Sequence, residues 1–178
     1  MYMLMISLIQ LEKNKQHSHA HKLLRECLRS YNIDYTEDML TYGDHGKPAL
    51  DGYSGICFNL SHSDGIAACI LSEKECGIDC ERVREYRPNV AKRVFTPSEQ
   101  ALLEAAHESE RDLLFFRLWT LKEAFVKAVG KGISYPMSSV GFSFVNGTIV
   151  CTEKKWSFRQ YILRGGEYVV SVCEKISV

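Results

Sequence analysis

Between residues 111 and 129 the sequence commits to one long helix, and that helix limits what the rest of the chain can be. Leu114, Leu118, Leu121, Phe125 and Ala128 recur at spacings of 4, 3, 4 and 3, the period of a single apolar helix stripe. Gly130-Lys131-Gly132 follows at once and supplies the stop. Such a stripe has to be covered, and the segments left to cover it are mostly short.

Residues 2–9 read as an opening strand, too brief and too rich in apolar and β-branched side chains for a helix. Leu23, Leu24, Cys27, Leu28 and Tyr31 return at helical spacing, so a helix over about 18–31 packs on that strand. Tyr42-Gly-Asp-His-Gly-Lys-Pro48 makes a loop. Ile56 to Ser61 and Gly65 to Leu71 read as two strands about the polar turn Ser61-His-Ser-Asp-Gly, and Gly77 to Val83 as a third. Pro97, Ser98 and Glu99 open a further helix. Residues 140–178 read as three or four strands with turns at Asn146-Gly147 and Gly165-Gly166. The expectation is an α+β fold of two lobes, residues 1–76 and 77–178, meeting near Gly77.

The chain carries 22 Lys plus Arg against 22 Asp plus Glu in 178 residues, which offers no global electrostatic case for nucleic acid. Its seven cysteines are odd in number and form no C-x-x-C pair, as expected of reduced thiols in a cytoplasmic protein. The apolar opening lacks a basic start and a cleavage site, and meets Glu12, Lys13 and Lys15. It reads as neither signal peptide nor membrane span. His17, His19 and His21 alternate, but with a helix starting near Ser18 they are expected to be surface residues rather than a metal site, or else His21 and Lys22 help a ligand site.

Three clusters could carry chemistry. Asp79 and Glu81 lie two apart on a strand, so both carboxylates face one way and Cys80 the other. Paired carboxylates suit Mg²⁺, which completes its octahedron with phosphate oxygens and water; solvated acids on a strand edge are the alternative. On the long helix Glu123 points away from the apolar stripe, with Phe116, Trp119 and Lys127 near it, a second face expected to meet the other lobe. An i,i+4 Glu–Lys pair worth about 0.2–0.5 kcal/mol is the alternative there. The third cluster joins Gly46-Lys47-Pro48 to Asn59-Leu-Ser61-His62-Ser63, groups that suit a phosphate or that form turns for local reasons.

Taken together, G-K-P, F-N-L-S-H-S, G-I-D-C-E, R-V-F-T-P-S-E and W-T-L-K-E-A-F-V-K-A-V-G-K-G-I-S, spread from about His21 to Pro136, resemble the 4′-phosphopantetheinyl transferases of the surfactin-synthetase-activating type. The resemblance implies two similar α+β lobes joined as a pseudo-dimer with coenzyme A in the cleft between them. It implies transfer of the phosphopantetheine arm of coenzyme A to a serine of an apo acyl or peptidyl carrier protein, releasing 3′,5′-ADP. By matching positions, Asp79, Glu81 and Glu123 would hold Mg²⁺ (or Mn²⁺). Lys47, Pro48, Ser61 and His62 would line the coenzyme A site, with Lys22 added from the A-H-K stretch and Lys122 and Lys127 near the diphosphate. Glu123 and Lys127 would be catalytic.

The chain is shorter than many such proteins. The basic stretch that precedes the first helix in longer members is reduced here to Lys13 and Lys15. Residues 82–93 hold Arg82, Arg84, Arg87, Lys92 and Arg93 against Glu85 alone, while 99–112 carry five acids and one base. The basic run either steers an acidic carrier protein or pairs with those acids. The expectation is a cytoplasmic monomer with no nucleic-acid or membrane partner. A non-catalytic coenzyme A or nucleotide-binding module, or a Mg²⁺-dependent phosphohydrolase, are the other readings of the same residues.

Overall fold

The computed structural model describes residues 2–10 and 12–177. The side chain of Lys13, one remnant of the basic stretch, lies outside that description. The first half of the chain runs β1 (Met3–Leu8), α1 (Lys13–Arg29), β2 (Leu40–Tyr42), β3 (Pro48–Leu50), β4 (Cys57–Ser63) and β5 (Ile66–Ser72). The second runs β6 (Cys76–Arg82), α2 (Pro88–Val94), α3 (Pro97–Ala105), α4 (Glu108–Val129), β7 (Phe142–Val145), β8 (Thr148–Cys151), β9 (Trp156–Leu163) and β10 (Tyr168–Lys175). Both halves follow one plan of strand, long helix, small hairpin and two further strands. Their sheets, β1-β5-β4 and β6-β10-β9, share one order, first strand, last strand, next-to-last, and every pairing is antiparallel.

Period-two alternation sorts the layers. On β5, Ala67, Cys69 and Leu71 face α1 and pack with Leu24, Cys27 and Leu28. Ile66, Ala68 and Ile70 face the second sheet, where they meet Ile78 and Cys80 of β6 and Val170 and Val172 of β10. α4 covers the far side of that sheet with Leu118, Leu121 and Phe125 against Val169 and Cys173. The order is therefore helix, sheet, sheet, helix.

α4 begins at His107, whose side chain accepts from the Ser109 amide, carries Glu108 and Glu110 in its first turn, and ends on Gly130 at φ 77°, each suited to the local helix charge or the left-handed C-terminal turn. α3 starts on a reciprocal cap between Thr96 and Glu99 with Pro97 at its first position. Among the described residues no helix is long and apolar enough to cross a membrane.

Three local expectations are corrected. α1 starts at Lys13, not near Ser18, because Gln16 and Ala20, weak signals in the sequence, extend the buried stripe of Leu23, Leu24, Cys27 and Leu28 one turn back. His17 and His21 thus both sit inside the helix. β4 continues through Ser61, His62 and Ser63, with the turn beginning only at Asp64, since these residues pair with Ala68, Ala67 and Ile66. The glycine-rich stretch at 42–48 is a loop as expected, the tip of the β2–β3 hairpin, with only Tyr42 and Pro48 pairing. Phe116 and Trp119 pack within the second half, against Phe115, rather than against the first.

Candidate active site

Gly77, Asp79 and Glu81 point from β6 toward α4. A Cβ on Gly77 would run into the backbone of Ala124 and Ala128, so glycine is what lets the helix lie directly on this strand. That contact brings Glu123 and Lys127 beside the two β6 acids. Lys127 Nζ lies 2.7 Å from Asp79 Oδ1 and donates to Ser61 Oγ at 3.1 Å; Ser61 donates to the same Asp79 oxygen at 3.0 Å. Glu81 Oε2 accepts from Ser63 Oγ at 2.8 Å and from Arg84 at 2.9 Å.

β4 closes the site from the first half. Asn59 Oδ1 accepts from the Ile78 amide at 2.9 Å and Ser61 Oγ from the Cys80 amide at 3.2 Å. The free edge of β6 is thereby satisfied by side chains of the neighbouring sheet rather than by another strand.

Burial pushes the Asp79 carboxyl up, and Lys127 only partly offsets this. Burial alone would lower Lys127, but Asp79, its hydrogen bond and Glu123 outweigh that and raise it. The two shifts pull opposite ways on the value of the pair. They agree that Lys127 is an ammonium and that it does not fully compensate the buried carboxylate. Glu123, half-buried, is pushed up to about 7 by burial first and then by Asp79 and Glu81.

The donor set suits a divalent cation. Among the described residues no three His, Cys, Asp or Glu side chains already enclose a metal point, because Asp79 and Glu81 turn to the partners just named. Yet Asp79 Oδ2 is buried with no hydrogen-bond partner, and the two neighbouring carboxylates, Asp79 and Glu81, raise the energy of ionising Glu123. Hard oxygen donors with unbalanced negative charge fit Mg²⁺.

Lys47 reaches across from the β2–β3 tip to donate to the carbonyls of Ala128 at 2.7 Å and Cys76 at 3.2 Å, passing Gly130 with its Cδ 3.1 Å from where a Cβ would stand. Burial lowers its pKa. With Pro48, Asn59, Lys127 and Gly130 it lines a cavity of about 150 Å³. Pro48 also borders a second cavity, of about 190 Å³, walled by His17, His21, Tyr42 and His62. There the His17 ring stands 4.5 Å from His21 and 6.1 Å from His62 between centroids.

Two expected coenzyme A residues fall outside this arrangement. Lys122 is fully buried in the second half, where Glu99 and two backbone carbonyls take its ammonium. It does not face the cleft, because position 122 lies about 100° around α4 from Glu123. Lys22 is exposed on α1 and joins no ion pair among the described residues. What the sequence reading missed is the part played by Gly77, His17 and Glu99, and the contact of Ser63 with Glu81. The N-x-S-x-S alternation of Asn59, Ser61 and Ser63 was the available signal, since period two puts all three on one strand face.

An acidic and basic seam between two equivalent α+β halves is the class of protein that this fold and site define. Residues 75–173 match the model of the 4′-phosphopantetheinyl transferase superfamily. A 4′-phosphopantetheinyl transferase of Bacillus subtilis is 31% identical over 149 residues, covering 82% of this chain and 66% of its own. 4′-Phosphopantetheinyl transferase HetI of Nostoc sp. is 35% identical over 130 residues, 69% of this chain and 55% of its own. Sfp of Bacillus subtilis (strain 168) is 33% identical over 111 residues, 62% and 50%. Among solved structures, a holo-(acyl-carrier-protein) synthase from Bacillus anthracis in complex with CoA (3′,5′-ADP) aligns with TM-score 0.49 at 21% identity, over 58% of this chain and 96% of that one. The chain belongs to the 4′-phosphopantetheinyl transferase superfamily. It spans about half to two thirds of the length of the curated relatives it matches.

Proposed function

We propose that the chain transfers the 4′-phosphopantetheine arm of coenzyme A to a serine of an apo acyl or peptidyl carrier protein. The observation that carries this is the buried, unpartnered Asp79 Oδ2 beside a Glu123 carboxyl raised to about 7, with Lys127 and Lys47 along the same seam. A divalent cation held by Asp79, Glu81 and Glu123, Mg²⁺ in the first instance and Mn²⁺ as a substitute, supplies Lewis-acid neutralisation of diphosphate oxygens.

The side chains do the rest. Glu123 takes the proton of the serine hydroxyl as general base. The serine oxygen forms a bond to the phosphorus next to the pantetheine arm. The bond from that phosphorus to the bridging diphosphate oxygen breaks, and 3′,5′-ADP leaves with its electron pair. Lys127 stabilises charge gathering on the phosphate under attack. Lys47 and Pro48 border the path of the phosphates, and Ser61 and His62 stand on the β4 side of it. Lys122 has no substrate role in this scheme.

Coenzyme A lies in the seam between lobes 1–76 and 77–178, so one chain suffices and the enzyme works as a monomer. Seven unpaired cysteines, six of them buried, fit the reducing cytoplasm. Arg87, Lys92 and Arg93 are exposed and form no ion pair among the described residues, including with the acids of 99–112. That favours their steering an acidic carrier protein. The test is incubation with coenzyme A, Mg²⁺ and apo-carrier, followed by mass spectrometry. A carrier gaining one phosphopantetheinyl mass upholds the proposal. Free phosphopantetheine released without carrier would make the chain a phosphohydrolase, and coenzyme A bound but unchanged would make it a binding module.

A further inference from the structure

Lys122 and Glu99 form an ion pair in which both side chains have no solvent exposure. Lys122 Nζ lies 2.8 Å from Glu99 Oε2 and donates to the carbonyl oxygens of Met137 at 2.9 Å and Val140 at 2.5 Å, so each of its three hydrogens has an acceptor. Glu99 in turn accepts from the amides of Thr96 at 2.7 Å and Phe142 at 2.8 Å. One buried pair therefore ties the start of α3, the segment before β7, β7 itself and the middle of α4.

Stability alone does not call for this arrangement, since well-packed apolar residues replace a buried ion pair at little or no cost. What the pair adds is direction. Apart from the hydrogen bonds of Thr120 with Ser171 and of Arg117 with Gln160, α4 lies on its sheet largely through apolar contacts, which are non-directional and permit a helix to roll about its axis. An ammonium held by three fixed acceptors does not permit it. Lys122 immediately precedes Glu123, so fixing the azimuth of one fixes the other about 100° around the helix, and Lys127 one turn on is carried with it.

We propose that Glu99 and Lys122 are positioning residues, an internal clamp that sets the rotation of α4 so that Glu123 and Lys127 face Asp79 and Glu81. This rests on the reading of Glu123 as a metal ligand given above.

The test is the double variant Glu99→Leu/Lys122→Met, which replaces the whole pair with apolar groups. Three quantities are read: melting temperature, Mn²⁺ affinity by electron paramagnetic resonance without coenzyme A or carrier, and transfer kinetics. The variant is expected to melt cooperatively near wild type, to bind Mn²⁺ on the order of tenfold more weakly, and to lose a similar factor in kcat. KM for coenzyme A is expected to hold within about twofold, since Lys122 does not touch it. A folded double variant with wild-type Mn²⁺ affinity and kcat overturns the proposal, as does a raised KM with unchanged kcat. Should the double variant not fold, Glu99→Gln, which keeps the shape, is expected to show a smaller loss of Mn²⁺ affinity, and no loss overturns the proposal. A wild-type chain that binds Mn²⁺ but transfers nothing defeats the transferase reading while the metal readout still decides this one. One that binds no Mn²⁺ defeats both.

Discussion

Lys127 holds Asp79 by one carboxylate oxygen, at 2.7 Å, and leaves the other buried and unbonded. Lys127→Met would strand that carboxylate in a site where Asp79 is only 5% exposed. The expected loss is about 3 kcal/mol, the low end for a broken buried pair because Lys127 keeps some exposure. For a chain of this size that is a fall of roughly 6–12 °C in melting temperature. Asp79→Asn removes the charge that burial disfavours but leaves the Lys127 ammonium with Glu123 as its remaining acid, so it should lose less stability than Lys127→Met while losing transfer. Calorimetry and a carrier assay on the two variants measure the contrast.

Glu123→Gln separates chemistry from fold at the neighbouring position. The amide keeps the shape and discards a charge that burial already opposes, so the melting temperature should hold or rise. Removing the base should lower kcat by about 10²–10⁴-fold. Transfer at a near wild-type rate would remove Glu123 from the role given to it.

Gly77 carries the approach of β6 to α4. Gly77→Ala pushes a methyl into the backbone of Ala124 and Ala128, which has no flexible end to move aside. Overpacking of this kind costs about 1–3 kcal/mol, and backbone on both sides places the outcome at the upper end. Because the helix must lift from the strand, transfer should fall by more than the loss of folded protein explains, as activity per folded molecule will show.

The sequence made the long helix, the acids of β6 and the lysine turns readable, because each rests on local spacing. Period two put Asp79 and Glu81 on one face, and helical spacing took Glu123 off the apolar stripe. What could not be read were tertiary destinations. Lys122 looks like a cleft lysine beside Glu123, and only the position of Glu99, brought in by α3, shows that it is buried. Glu99 itself reads as a first-turn acid completing a helix cap, which it is, with no local sign that its carboxylate also serves Phe142 and Lys122. Gln16 and Ala20 hid a turn of α1, and with it the close approach of the His17 and His21 rings.

That approach gives stability an acid limit. His21 is buried and bonded to the Tyr35 hydroxyl at 2.7 Å. Its pKa is lowered from 6.5, first by burial and then by His17, with Arg25 and His62 adding to the effect and Glu37 opposing it. Burial also lowers His62, helped by His17 and Lys127. For a group depressed on folding the neutral form is the native one, so its contribution is whole above 6.5 and is lost as pH falls through the lowered value. Urea midpoints should therefore drop between about pH 7 and pH 5, and His21→Gln should flatten that drop. An equal slope in the variant would place the acid sensitivity elsewhere.

Salt separates steering from chemistry on the carrier side. Arg84 is not free to steer, since it is held to Glu81 at 2.9 Å and lies over the Phe116 ring at 4.9 Å; reversing it would disturb the metal acids. Arg82 is likewise paired, with Asp64 and Glu167. Arg87, Lys92 and Arg93 are the exposed bases left, and Arg87 lines a cavity of about 220 Å³ with Glu81, Tyr86, Phe115 and Trp119. Reversing these three to Glu should raise the carrier KM by roughly tenfold at low salt, with kcat and the KM for coenzyme A unchanged. The effect should shrink as ionic strength shortens the Debye length to about 8 Å near 0.15 M. Loss of kcat instead would mean that the strip belongs to the catalytic seam. An unchanged KM at every salt concentration would mean that the carrier approaches from another side.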